Sequence, residues 1–320
     1  MFWLTWRQHR RPALAWLTGL ALLATQLIPS GLAMRHTFDR LGLDRCTRAV
    51  GGHVVTRMDV DGCPEALTQF NDQYALYALA ALLLVALPLL FGLFWGPALV
   101  AAETEHGTHR LVWTQGVTRR YWATVKFGLV GSVVSVLAIG YALGMAWWFE
   151  PLHRAGGNRF GELAFDVQGT ASIGYTLFAL GLGILAGTLL RRTGPAMGLT
   201  LAGYLAVRIG VARWLRPHYL PPHQVVSQQS EDVHRAVAPD DWTVVSAIKD
   251  AAGHVVRSNG SVSCAPAPEP CFDYGPGAYN WVLFQPASRY WTFQWIETGI
   301  FVALAVLLVL VALRRVPRIT

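Results

Sequence analysis

Long apolar runs without a charged residue alternate with polar stretches along most of the chain. Four of these runs are at least 20 residues long and cover residues 13–34, 75–101, 127–149 and 171–190. A helix needs about 20 apolar residues to cross the ~30 Å hydrocarbon core of a bilayer. The pattern therefore predicts four membrane-spanning helices.

Two weaker apolar stretches, at 195–215 and within 295–320, predict a fifth and a sixth span. Lys and Arg are enriched in cytoplasmic loops, and their distribution supports six spans with both termini in the cytoplasm. The segments that this arrangement places inside are 1–12, 101–126, 191–194 and 314–320. They contain 12 Lys and Arg in 49 residues, whereas the outside segments 34–73, 150–170 and 216–294 contain 12 in 140.

Composition agrees with a multi-pass protein of the cell membrane. Of the 320 residues, 53% are hydrophobic and only 14% are charged, against roughly 25% charged residues in soluble domains. The net charge of +7 is explained by the orientation signal, so we do not expect a nucleic-acid partner.

The first apolar run could also be a cleaved signal peptide, since it follows RQHRR and ends near SGLA. Its 22 uncharged residues exceed the apolar region of a signal peptide, which is about 7–15 residues long. We therefore interpret 13–34 as the first span.

All four cysteines fall in predicted outside segments, which suits disulfides in an oxidising compartment. Cys46 and Cys63 lie in the first outside loop, and Cys264 and Cys271 lie in the last. Three pairings are possible, of which we favour the two local ones. Zinc is the alternative, but there is no CxxC spacing, and no metal site is expected.

The segment 216–294 is the largest predicted outside region. In it, WTVVSAIK and HVVRS flank DAAG, a pattern that predicts a hairpin with a glycine-containing turn. We expect a small extracytoplasmic cap with some β structure between spans five and six. The pair Asp240 and Asp241 is interpreted as solvated loop.

Arg208 is the one charged residue predicted to lie well inside a span. An ionisable group in the membrane indicates a functional site or a buried ion pair. Two interpretations stay open: a structural pair with Glu150 or Glu297, and a role in a substrate path.

The segment 101–126, AAETEHGTHRLVWTQGVTRRYWATVK, is polar, basic and aromatic between two spans. Such a segment suits the inner membrane surface or a cytoplasmic partner. It contains Glu103-x-x-x-Gly107-Thr108-x-x-Leu111, then Thr118-Arg119-Arg120, then Lys126. This order resembles the signature of type-2 ABC-exporter permeases. Gly116 departs from it, standing where many members have proline.

The resemblance implies an all-α, six-span permease subunit with a coupling helix in 101–126 that docks on a cytoplasmic ABC ATPase subunit. It also implies a second permease subunit, identical or related. The residues that it assigns to coupling are Glu103, Gly107, Thr108, Arg110, Leu111, Arg119, Arg120 and Lys126. No G-x-x-x-x-G-K-[ST] occurs in the chain, so we expect no enzyme activity and no cofactor here, with ATP and Mg in the partner.

Two other functions remain open. One is a membrane-anchored sensor or binding protein that uses the 216–294 cap without transport. The other is a membrane enzyme with an outer site drawn from His153, Asp166, His218 and His223. The transported substrate is not indicated by the sequence.

Overall fold

The computed structural model describes residues 2–50, 53–56, 61–105, 118–228, 237–259, 274 and 276–318. It is mostly helical. The helices are α1 Phe2–Arg40, α2 Cys63–Val85, α3 Leu87–Trp95, α4 Ala101–Glu105, α5 Arg119–Arg154, α6 Glu162–Val167, α7 Ala171–Leu190, α8 Thr193–Gly210 and α9 Tyr290–Arg315. The strands are β1 Thr47–Val50, β2 His53–Thr56, β3 His223–Gln228, β4 Trp242–Lys249, β5 Val255–Ser258 and β6 Tyr279–Gln285.

Five helical stretches of the described residues are long and apolar enough to cross a membrane. They are Leu83–Glu105, Arg119–Arg154, Ala171–Leu190, Thr193–His218 and Ala287–Arg315. Each overlaps one of the predicted spans two to six. The predicted first span, 13–34, lies within the single helix α1, which is not one of these five, so the count of six spans stays a prediction.

The helices do not end where the predicted spans end. Helix α1 continues to Arg40 and α2 begins at Cys63, so helix extends into both ends of the predicted loop 34–73. The predicted second span, 75–101, is not one helix. Pro88 and Pro97 stand at the starts of α3 and of the short 3₁₀ turn Pro97–Leu99, because proline lacks the N–H that a continuing helix needs.

Helix α7 lies at the centre of the bundle and packs against α3, α5, α8 and α9. Glycines allow the close approach of its backbone to α3, as small residues do between membrane helices. A Cβ added at Gly92 would lie 2.3 Å from the backbone carbon of Ala179, and one at Gly183 would lie 2.8 Å from Gly92 O. Four residues after Gly183, Gly187 allows the same close approach to Pro97, which follows α3.

We expect Gly92→Ala to destabilise the protein by about 1–3 kcal/mol, because the added methyl group overpacks the contact between α3 and α7. Gly140→Ala is the matched control, since a Cβ there meets nothing within 4 Å and helix propensity favours Ala. Unfolding in detergent measures both variants. Equal stability of the two would contradict the packing of α3 on α7.

The small sheet confirms the predicted β structure and hairpin. Its order is β3-β6-β4-β5, and all its neighbouring strands are antiparallel. Strands β4 and β5 flank the predicted DAAG turn, where Gly253 has a φ of 89°. The backbone N–H of His254 donates to the Asp250 carboxylate at 2.8 Å and lowers the pKa of that group.

The predicted local disulfide between Cys46 and Cys63 is confirmed. It closes the loop that contains the β1–β2 hairpin and joins the turn after α1 to the first residue of α2. Cys264 and Cys271 lie outside the described residues, so their pairing stays a prediction.

Candidate functional site

The two ends of the predicted coupling segment lie close together in the fold. Helix α4 ends at Glu105, and α5 begins after Thr118, whose hydroxyl accepts a hydrogen bond from Tyr121 N at 3.3 Å as an N-cap. Four residues of the predicted coupling set lie outside the described residues, namely Gly107, Thr108, Arg110 and Leu111.

An ion pair joins the two helices that flank this segment. Lys126 Nζ of α5 lies 2.5 Å from Glu103 Oε1 of α4, and both side chains are largely buried. The same ammonium lies 5.0 Å from the ring centroid of Trp122. Two residues of the predicted set, 23 positions apart, therefore hold α4 against α5.

Other segments that were predicted to lie inside converge on the same end of the bundle. Glu105 Oε2 accepts hydrogen bonds from Thr193 N at 3.1 Å and from the Thr193 hydroxyl at 3.0 Å. Arg119 donates to Pro317 O at 3.0 Å, after the end of α9. Arg120 is exposed. Segment 101–126 thus contacts both 191–194 and 314–320.

The segments that were predicted to lie outside meet at the other end. Arg35 donates to Glu150 at 3.1 Å, Arg154 pairs with Asp44, and Asn158 donates to Asp241 O at 3.0 Å. The distribution of Lys and Arg divided these loops into an inside and an outside group, and the structure places the two groups at opposite ends of the bundle. Which group faces the cytoplasm still rests on that distribution.

Toward this second end, four charged side chains form one buried cluster, here called the charge cluster: Asp166, Arg208, Arg216 and Glu297. Glu297 has no exposed side-chain surface. Its Oε1 accepts from Arg208 at 3.2 Å and from Arg216 at 2.8 Å. Asp166 Oδ1 lies 2.9 Å from Arg216 Nη2 and also contacts Arg208.

Two tyrosines complete the hydrogen bonding of the Glu297 carboxylate. The hydroxyl of Tyr175 donates to Oε1 at 2.6 Å, and that of Tyr219 donates to Oε2 at 3.3 Å. Burial, together with the negative charge of Glu297, raises the pKa of Tyr219. Its hydroxyl therefore keeps its proton as a donor.

A π-helical turn explains how both arginines reach the same partners. Arg208 and Arg216 are eight residues apart. In a regular α-helix their side chains would therefore point in directions about 80° apart around the helix axis. The residues between them include the π turn Val211–Leu215, and the wider π turn takes up one extra residue. Both guanidinium groups consequently point to the same side of the helix.

A family model for "ABC-2 membrane transporter related" proteins matches residues 17–216. The chain belongs to this family. No curated protein and no solved structure matches the chain. Residue 216 closes the matched region, so three residues of the charge cluster fall within it, while Glu297 and all four strands of the small sheet lie beyond it.

For this ABC-2 family member, the structure decides between the partners that were considered for Arg208. The partner is Glu297, and Glu150 instead binds Arg35 and Arg154. Sequence reasoning missed Arg216, which had been assigned to the outer loop. The signal that could have found it is the pair of arginines eight residues apart at the end of a weak span.

The outer residues that were considered for a membrane enzyme have separate partners. Asp166 binds the two arginines, His153 Nδ1 contacts Gly157 O, and His218 Nδ1 contacts Trp214 O. His223 Nε2 contacts Arg289. In the described part of the chain there is also no group of three or more potential metal ligands.

The interpretation of Asp240 and Asp241 as solvated loop was wrong, since both are buried. Asp241 accepts hydrogen bonds from Ala238 N at 3.0 Å and from Ala287 N at 2.8 Å. These bonds hold the loop before β4 against the turn that precedes α9. The donor Ala287 N comes from a distant position in the chain, and a local sequence pattern does not reveal it.

Proposed function

We propose that the chain is the permease subunit of an ABC exporter, which forms the translocation path together with a second permease subunit of the same or a related sequence. A separate ATPase subunit would dock on segment 101–126 from the cytoplasm and bind ATP and Mg. The family match over residues 17–216 is the observation that supports this proposal most. The chain has no Walker A motif, so hydrolysis would belong to the partner.

The contacts around segment 101–126 suit the transmission of a force. Glu103 and Lys126 join α4 to α5, Glu105 joins α4 to the first residue of α8, and Arg119 joins α5 to the residues after α9. A displacement of the segment would therefore reach four helices at once. In alternating access, such a displacement opens the path on the other side.

The test is a pull-down of the tagged protein from membranes in mild detergent, with ATPase activity in the eluate as the readout. We expect activity with the wild type and a loss of about tenfold or more with Arg120→Glu. Arg120 is exposed, so its reversal places repulsion at a docking surface without breaking the bond between Arg119 and Pro317.

Arg45→Glu is the matched control, because Arg45 is exposed at the opposite end of the bundle. It should copurify as much ATPase activity as the wild type. Absence of ATPase activity from all eluates of folded protein would contradict the proposal. That result would favour the alternative of a membrane-anchored sensor that binds its ligand at the sheet.

A further inference from the structure

A cavity of about 280 Å³ opens onto the charge cluster. Its polar wall contains Asp166 and the two buried arginines, and Arg213 stands at its exposed rim. The remaining wall is largely apolar and includes Phe160, Ile209, Ala212 and Trp242. A concave apolar site with a few convergent polar groups is the usual form of a ligand pocket.

The acceptors of the charge cluster are shared between several donors. Glu297 Oε1 accepts from Tyr175 and from both arginines, and Oε2 accepts from Arg216 Nε at 2.9 Å and from Tyr219. Asp166 Oδ1 faces both guanidinium groups. Three carboxylate oxygens therefore serve seven contacts.

The donors, in contrast, are not all used. Arg208 Nη2 is buried, and its partner in the described part of the chain is the Asp166 carboxylate. Arg216 donates through Nε and Nη2, and its Nη1 has no acceptor in the described part of the chain. Within the described residues, Arg216 Nη1 is therefore a donor that remains available to a ligand, and the other donors of the cluster share a few carboxylate oxygens.

The charges that line the cavity are also more positive than negative. Arg208, Arg213 and Arg216 face two carboxylates, those of Glu162 and Asp166. Glu297 does not line the cavity, since it is covered by the groups that bind it. A ligand in the cavity would therefore meet three guanidinium groups, which bind carboxylates and phosphates in a planar fork.

We propose that this cavity binds the anionic head group, a phosphate or a carboxylate, of an amphiphilic molecule. The head group would accept hydrogen bonds from Arg208 and Arg216, including the available Arg216 Nη1, and displace Asp166 from them. Its apolar part would follow the wall toward Ile209 and Trp214, whose side chains are exposed on the same stretch of the fifth span. That this amphiphile is the transported substrate rests on the proposed function.

The test measures binding of radiolabelled dodecyl phosphate to the purified full chain in dodecyl maltoside by scintillation proximity. We expect saturable binding that unlabelled dodecyl phosphate displaces. Inorganic phosphate should displace it at least tenfold less well, because it lacks the apolar part. Dodecyltrimethylammonium should not displace it. If inorganic phosphate displaces the label equally well, the ligand need not be amphiphilic, and that part of the proposal is wrong. If dodecyltrimethylammonium displaces it, the part that requires an anionic head group is wrong.

Two variants locate the site without breaking the buried ion pairs. Ala212→Phe fills the cavity, so its affinity should fall at least tenfold. Leu215→Phe adds a ring on the same π turn outside the cavity wall and should leave the affinity unchanged. Binding that Ala212→Phe does not weaken, or the absence of saturable binding, would overturn the proposal.

Asp166→Asn tests the displacement directly. It removes a charge that competes for both arginines, so the affinity for dodecyl phosphate should rise by about tenfold, which corresponds to one charge-assisted hydrogen bond. Lower affinity in this variant would contradict the proposed displacement of Asp166 by the head group.

None of these measurements needs the ATPase. If ATPase activity copurifies but dodecyl phosphate does not change it, the substrate assignment fails and the proposed function stands.

Discussion

Glu297→Ala should destabilise the protein by about 3–5 kcal/mol, the cost of removing one partner from a buried ion pair. Glu297 is completely buried and is bound by two arginines and two tyrosines. Without its carboxylate, Arg208 and Arg216 would share the single partly exposed acid Asp166. Unfolding by SDS titration in detergent micelles measures the loss.

A matched control tests whether the loss of stability comes from the buried position of Glu297 or would follow the removal of any acidic side chain at this end of the bundle. Glu150→Gln breaks pairs with Arg35 and Arg154 whose side chains are all partly exposed, so we expect a change below about 1 kcal/mol. Glu297→Gln keeps the shape but not the charge and should show most of the loss of Glu297→Ala. A loss below 1 kcal/mol for Glu297→Ala would contradict the charge cluster.

Lys126→Met should cost about 3 kcal/mol, because Glu103 would lose the ammonium group that neutralises it in a largely buried site. Methionine keeps the apolar stem of lysine, so packing against Trp122 should be retained. Under the proposed function, this variant should also copurify less ATPase activity than the wild type, since α4 and α5 would no longer be held together.

The matched control is Arg154→Met, which removes a cation whose side chain is 44% exposed and which pairs with Asp44 and Glu150. Its effect on stability should stay below about 1 kcal/mol. The double variant Glu103→Lys/Lys126→Glu restores opposite charges and should recover a substantial part of the stability. Failure of this exchange to improve on Lys126→Glu alone would contradict a direct interaction between the two side chains.

Local patterns in the sequence predicted the elements whose stability is decided over short distances. The hairpin of β4 and β5 followed from the runs WTVVSAIK and HVVRS on either side of DAAG, since the turn needs a residue that tolerates positive φ. The disulfide between Cys46 and Cys63 followed from proximity in one loop. Of the five apolar stretches that the structure shows as candidate spans, three followed from length and hydropathy, and the predicted fifth and sixth spans also needed the distribution of Lys and Arg.

The candidate sites were predicted only in part. The resemblance singled out Glu103 and Lys126 without indicating that they bind each other, because they lie 23 residues apart on separate helices. Arg208 was recognised as a buried charge, and Glu297 was one of two partners considered. Arg216 and Asp166 were not connected to it, because their contacts depend on how α6, α8 and α9 meet.

The sequence by itself determined that the chain is a multi-pass helical membrane protein, because an uncharged run of 20 residues has few other stable environments. It also grouped the loops into two sets through the positions of Lys and Arg. The tertiary structure alone decided which charges face each other inside the bundle. A π turn of five residues redirected Arg216 toward Glu297, and such a change in helical phase depends on the long-range ion pairs that stabilise it.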